Sequence, residues 1–198
     1  MIRFGLPVPG ASVSLAAATA FGLEAVAAGE LEALGCAERT VENGRVHFTG
    51  RIEDIARCNL WLRTADRLLV RLAEFPAGSF DELFEAVRSL DWAEFLPEDA
   101  RIDVTARSRR SQLTSLPACQ AAVKKAVVEA LRRRYRRERF PESGPEYALD
   151  LSLDRDRASL DLDTSGEGLH RRGYRRRAGE APLRETLAAA LVLLSRWD

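Results

Sequence analysis

The sequence predicts an α+β protein built on a mixed sheet, and three observations carry that prediction. Apolar residues recur with a helical period in some segments and alternate in others; the two kinds of segment are interspersed along all 198 residues; and Gly, Asn and Pro punctuate the joints between them. At 46% hydrophobic residues, the chain has enough apolar surface for one large core or two small ones.

Residues 13–20 read as a buried strand, and residues 22–34 as a helix with Leu23, Val26, Ala27, Leu31 and Leu34 on one stripe, stopped by Gly35. Two short strand-like runs, 37–42 and 45–49, flank Asn43-Gly44. That dipeptide predicts a type I′ hairpin, whose two central residues both need positive φ. A β-α-β-β opening follows. Residues 52–62 read as a helix, 67–75 as a strand and 79–90 as a helix, with Ser79 as N-cap and Glu82 placed to close a capping box. Then come a strand at 102–106, a long helix at 116–137 and alternating strands at 146–151 and 157–162. The last helix, 181–195, is expected to hold Pro182 in its first turn and is apolar without interruption from Leu187 to Leu194. A helix apolar all round needs cover all round, so it is expected to face a further domain rather than this one. The joint between the two parts of the chain falls within residues 50–75.

Formal net charge is zero with 30% charged residues, which excludes both a disordered acidic tail and a chain that is basic throughout. The balance hides an asymmetry. Residues 1–100 hold 9 basic and 16 acidic side chains, residues 101–137 hold 11 and 2, and residues 138–198 hold 10 and 12. A basic middle of net charge +9 is the footprint that a phosphate backbone selects, although a solvated helix face has the same composition. Cys36, Cys58 and Cys119 are widely spaced and odd in number, which argues against a disulfide framework or a zinc knot. With only His47 and His170 to add, no metal site is expected. No segment approaches the roughly 18 apolar residues that span a bilayer. The small-residue run at 12–20 is preceded by a single basic residue, Arg3, and by Pro7, Pro9 and Gly10, and it continues into an acidic helix. It therefore does not read as a signal peptide, and the expected location is cytoplasmic with no membrane partner.

The candidate binding residues lie in and after the basic middle. Arg107, Arg109 and Arg110 are followed by Ser111, Gln112 and Ser115 and then by a helix near Pro117. Such a loop offers forked cations, hydroxyl donors and free backbone amides to one run of phosphates. Along the helix, Lys125, Arg132 and Arg136 are spaced by seven and four and share a stripe opposite Cys119, Val123, Val127, Ala130 and Leu131. Lys124 and Lys125 are the only lysines beside 28 arginines. Arg133, Arg134 and Arg137 surround the helix end, where cations also complement the dipole. A second basic cluster comprises His170, Arg171, Arg172, Arg175, Arg176 and Arg177, read as a loop that orients RNA or docks a catalytic domain. His170 has no partner nearby in sequence for general-base work. Tyr135 and Tyr174 are the only aromatic residues lodged among arginines, so little base stacking is expected.

Four stretches in order carry a resemblance: Asn59-Leu60-Trp61-Leu62-Arg63-Thr64-Ala65-Asp66-Arg67; Ser108 to Ser115 running on to Lys124-Lys125-Ala126-Val127; Asp163-Thr164-Ser165-Gly166-Glu167-Gly168-Leu169-His170-Arg171-Arg172-Gly173-Tyr174-Arg175; and Ala181 to Leu191. Together they resemble the THUMP-containing RNA methyltransferases, in particular the large-subunit rRNA guanine-N2 type, from about Phe21 onward. The resemblance implies a small ferredoxin-like N-terminal part at 1–60, an α/β THUMP domain with mixed sheet at 61–165, and a connector with the first helix of a methyltransferase domain at 166–198. It also implies structured RNA, rRNA in particular, as partner, a methyltransferase domain acting in cis or in trans, and S-adenosylmethionine as the cofactor of the full-length family enzyme. This sequence departs from the family pattern in having neither a glycine-rich turn after a strand nor an N-P-P-[YFW] catalytic motif; Gly166 and Gly168 are the nearest glycines to such a turn. No cofactor and no catalytic residue is therefore expected in this chain. The competing reading is a stand-alone THUMP adaptor that presents tRNA to another modifying enzyme, which would have no use for the helix after Pro182.

Overall fold

In the computed structural model the described residues are 12–173, 175, 180–195 and 197. Arg3, Pro7, Pro9, Gly10, Tyr174, Arg176 and Arg177 lie outside them. The described residues form two compact units, one within residues 71–163 and the other within residues 12–70 together with those described after 163. The division falls between residues 70 and 71, inside the strand that spans residues 65–76.

The N-terminal unit runs β1 (Ser12–Thr19), α1 (Glu24–Ala33), β2 (Ala37–Glu42), β3 (Arg45–Arg51), α2 (Ile52–Trp61) and the first half of β4 (Ala65–Pro76). Its strand order is β2-β3-β1-β4, with β1 antiparallel to both β3 and β4. Leu15, Ala17, Leu31, Val46, Phe48, Cys58, Leu62 and Leu68 make its core. α1 stops where Gly35 turns to φ +76. Asn43 and Gly44 connect β2 and β3, but only Gly44 has positive φ, so the turn is not type I′. Gly44 is committed elsewhere: its N–H donates to Glu24 Oε1 at 2.7 Å and its carbonyl accepts Thr19 N–H at 2.9 Å.

The carboxylate of Glu30, 8% exposed, accepts Thr64 Oγ1 at 2.6 Å, Thr64 N–H at 3.0 Å and Arg63 Nε at 2.8 Å, which locks the chain between α2 and β4. Cys36 and Cys58 are both buried with Sγ atoms 3.9 Å apart, and burial together with the neighbouring thiol pushes Cys58 up to about 12. The segment after the second unit returns here. Thr164 N–H donates to Leu68 O at 2.9 Å, Ser165 Oγ accepts Leu68 N–H at 2.7 Å, and Asn59 bonds both hydroxyls at 3.0 Å.

α5 (Glu185–Ser195) starts three residues after Pro182 rather than around it. Arg175 Nη2 holds Leu183 O at 2.6 Å, which keeps the chain before α5 out of the helix. Thr186 and Ala190 are buried, and Thr186 Oγ1 donates to Asp66 Oδ1 at 2.8 Å. Leu191, Val192 and Leu194 are left at 50–60% exposure. That apolar surface is expected to drive self-association of this chain. Light scattering should show Leu191→Glu with Leu194→Glu shifting it toward monomer; identical monodisperse profiles for both proteins would refute the idea.

The second unit continues from β4 through α3 (Phe80–Arg88), a short 3₁₀ turn (Trp92–Glu94), β5 (Arg101–Arg109), α4 (Leu116–Tyr135), β6 (Glu146–Asp154) and β7 (Arg157–Asp163). Its strand order is β4-β7-β6-β5, with β5 parallel to β6 and β6 antiparallel to β7, so the mixed sheet is present within this unit. α4 makes the crossover that a parallel pair requires. Its Cys119, Val123, Ala126, Val127 and Leu131 pack with Val104, Leu149, Leu151, Leu153 and Trp92. Ser79 caps α3, accepting Glu82 N–H at 3.2 Å. The predicted return bond lands one residue earlier, because Glu82 Oε2 takes Gly78 N–H at 2.8 Å.

Candidate nucleic-acid interface

β5 extends to Arg109, three residues past its predicted end, so Arg107 and Arg109 stand on a strand and the loop is only residues 110–115. The parallel register pairs Arg107 with Ser152 and Arg109 with Asp154, while Val104, Ala106 and Ser108 pair with the Leu149, Leu151 and Leu153 side. Strand alternation therefore puts Arg107 and Arg109 on the face away from α4. Arg107 is anchored there, with Nε donating to Ser152 Oγ at 3.0 Å and Nη2 lying 3.5 Å from Asp150. Arg110 is exposed at φ +50 and turns the chain toward α4.

Ser111 and Gln112 do not offer their donors freely. Ser111 Oγ donates to Asp156 Oδ1 at 2.8 Å, Gln112 N–H to the same oxygen at 2.7 Å, and Gln112 Nε2 to Asp156 Oδ2 at 3.0 Å. These bonds hold the Asp156 carboxyl below the usual aspartate range, the Gln112 backbone bond contributing most. Ser115 is the N-cap residue of α4, but its side chain makes no cap bond, and Pro117 sits in the first turn.

Along α4, Lys125 is exposed with Nζ 5.6 Å from the centre of the Phe84 ring, and Lys124 pairs with Glu142 at 2.9 Å. Arg132 Nε donates to Glu138 O at 3.0 Å. The predicted three-residue stripe loses Arg136, which lies beyond the helix as its left-handed cap at φ 53. A side chain at a left-handed position no longer follows the helical period. In the N-terminal unit, Arg172 crosses the end of α2, with Nη1 on Leu60 O at 3.1 Å and Nη2 on Leu62 O at 2.5 Å. Arg175 is held by Leu183 O, and Arg171 is exposed. His170 Nδ1 lies 3.7 Å from Asp66 Oδ1.

Ion pairing divides the cations of the Arg71–Asp163 unit into two groups. Arg71, Arg88, Arg101, Arg107, Lys124 and Arg137 each face a carboxylate, namely Asp161, Glu85, Glu146, Asp150, Glu142 and Glu98. Among the described residues, the side chains of Arg109, Arg110, Lys125, Arg132, Arg133, Arg134, Arg136, Arg139, Arg155 and Arg157 face no carboxylate and are exposed. Sequence reading singled out neither Arg155 nor Arg157, because they flank an aspartate in a segment that is acidic overall.

The turn after β7 tests the glycines closest to a cofactor loop. Gly166 O is bonded by Arg67 Nη1 at 2.5 Å, and a Cβ on Gly168 would lie 2.5 Å from the His170 ring. The His170 ring thus occupies the space beside Gly168, whereas nothing lies within 4 Å of a Cβ built on Gly166. Among the described residues, no three His, Cys, Asp or Glu side chains gather as a metal site, and no helix is long and apolar enough to cross a membrane.

A ferredoxin-like unit followed by a mixed-sheet unit with an open basic loop defines a class. Residues 14–69 match the RlmL ferredoxin-like domain and residues 77–163 match the THUMP domain, so the chain corresponds to the N-terminal region of the THUMP-containing RNA methyltransferases. It is 48% identical over 186 residues to "Putative RNA methyltransferase YpsC" of Bacillus subtilis strain 168, covering 93% of this chain and 48% of that protein. It is 40% identical over 177 residues to ribosomal RNA large subunit methyltransferase K/L of Syntrophotalea carbinolica, covering 89% of this chain and 25% of that protein. Among solved structures it matches SMU.472, "a putative methyltransferase complexed with SAH", with TM-score 0.84 and 45% identity over 94% of this chain and 49% of that one. The chain thus spans about half the length of the first relative and a quarter of the second.

Proposed function

We propose that this chain binds structured RNA, rRNA in particular, and positions it for guanine-N2 methylation by a catalytic domain acting in cis or in trans. The observation that carries the reading is the unpaired Arg109-Arg110 pair beside the Asp156-clamped loop at the start of α4, in a domain of RNA-binding class. Arginine presents a planar fork to phosphate oxygens, and phosphate contacts fix register without reading sequence. Positioning is therefore the task such a surface suits. Lys125 and Arg134 extend the basic surface along α4, and Arg171 adds a cation in the other unit. The exposed side of α5 is the surface we assign to the catalytic domain, since it is apolar and continuous.

Affinity for an RNA hairpin, measured by fluorescence anisotropy across a salt series, tests the reading. A log-log slope between about −3 and −6 is expected, equivalent to roughly four to seven neutralised phosphates. A slope near zero would refute it. Tighter binding of tRNA than of rRNA hairpins at equal salt would instead support the adaptor reading.

A further inference from the structure

The β6–β7 hairpin turn, residues 154–157, takes an uncommon backbone. Its two central residues, Arg155 and Asp156, have φ +50 and +59, as a type I′ turn requires, yet neither is Gly or Asn. What holds them there is a set of bonds directed at two other loops. The Asp156 carboxylate takes three donors from Ser111 and Gln112. Asp156 O accepts Ala77 N–H at 2.8 Å, in the connection between β4 and α3, and Arg155 N–H donates to Arg109 O at 3.1 Å.

We infer that the Arg155-Asp156-Arg157 turn is the second half of the RNA interface: Arg155 and Arg157 bind phosphates of the same RNA run as Arg109 and Arg110, and Asp156 is the positioning residue that holds the loop between β5 and α4. The inference rests on the RNA reading above. Arg109 is in register with Asp154, and Asp154 with Arg157, so Arg109, Arg110, Arg155 and Arg157 occupy adjoining backbone positions at one end of the sheet. Asp154, the exposed acid among them, makes no ion pair with any of them. Asp156 makes no ion pair with them either, since both of its oxygens are directed at Ser111 and Gln112. Four arginines that make no ion pair thus occupy adjoining positions, and a run of phosphodiesters supplies the anionic partners they lack.

Two variants of the full chain test this against one RNA hairpin over a salt series. Arg155→Glu with Arg157→Glu should weaken binding about 10- to 100-fold and flatten the slope by about two. Asp156→Asn is the more discriminating change. Asn tolerates positive φ, so the turn persists, but the charge-assisted bonds to Ser111 and Gln112 become weaker neutral ones. Removing a negative charge beside four arginines would strengthen RNA binding if Asp156 acted only through the field. As a positioning residue, its loss should weaken binding about 3- to 10-fold with the salt slope and the thermal melt unchanged. Wild-type affinity in Arg155→Glu/Arg157→Glu, alongside weak binding by Arg109→Glu/Arg110→Glu, overturns the inference and leaves the RNA reading standing. Tighter binding by Asp156→Asn overturns the positioning role. Poly-glutamate competing as well as RNA at equal charge overturns the phosphate assignment. A wild-type chain without salt-dependent binding removes the reading beneath all of it.

Discussion

Reversing Arg109 and Arg110 together to glutamate is expected to lower affinity for an RNA hairpin on the order of 100-fold near 0.1 M salt and to flatten the salt slope by about two. Neither guanidinium has a partner among the described residues, so neither change breaks an internal contact. The fold should survive, since exposed substitutions of this kind usually shift stability by no more than about 0.5 kcal/mol. Arg39→Glu, on the acidic half of the chain and paired with Glu32 at 3.3 Å, serves as the control for a general charge effect. An equal loss per reversed charge in both variants would mean that the basic loop is only a solvated surface.

Trp92→Ala should produce the largest stability change. The indole is 1% exposed at the centre of the Arg71–Asp163 core, with Nε1 donating to Val87 O at 2.8 Å and the Phe95 ring edge-on at 6.3 Å. Removing it leaves a cavity and takes from the Val87 carbonyl one donor, leaving it the Leu90 N–H at 3.3 Å, a loss of about 3–5 kcal/mol in all. For a unit of this size that corresponds to a fall in Tm of roughly 20 °C. A circular dichroism melt reads the shift, and hydrogen exchange should place the lost protection in α3 and α4. An unchanged melt would show that Trp92 is not part of the cooperative core.

Where an element is specified by its own residues, it was legible in the sequence. The α1 stripe, the Gly35 stop, the Ser79 cap and the apolar side of α4 appear where periodicity placed them, because burial on one face imposes the period. The candidate site was half legible. Arg109, Arg110 and the start of α4 were visible as a local charge run, whereas Arg155 and Arg157 were masked by neighbouring acids. The turn chemistry was displaced as well: the positive-φ pair belongs to Arg155-Asp156 and not to Asn43-Gly44. Propensity describes what a dipeptide tolerates, while hydrogen bonds to Arg109, Ser111 and Gln112 determine which dipeptide must adopt the strained form.

The residues alone thus specified the class, the order of elements and the basic middle, since local pattern and charge are properties of neighbouring positions. Folding was needed to show which cations stay unpaired, because ion pairs join positions far apart: Arg101 meets Glu146 and Arg107 meets Asp150 only through the parallel register of β5 and β6. It also joined Asn59 to Thr164 and Ser165, two motifs separated by an entire domain, and set Cys36 against Cys58. Such contacts are set by sheet order and packing, and a sequence period of two or 3.6 carries no information about them.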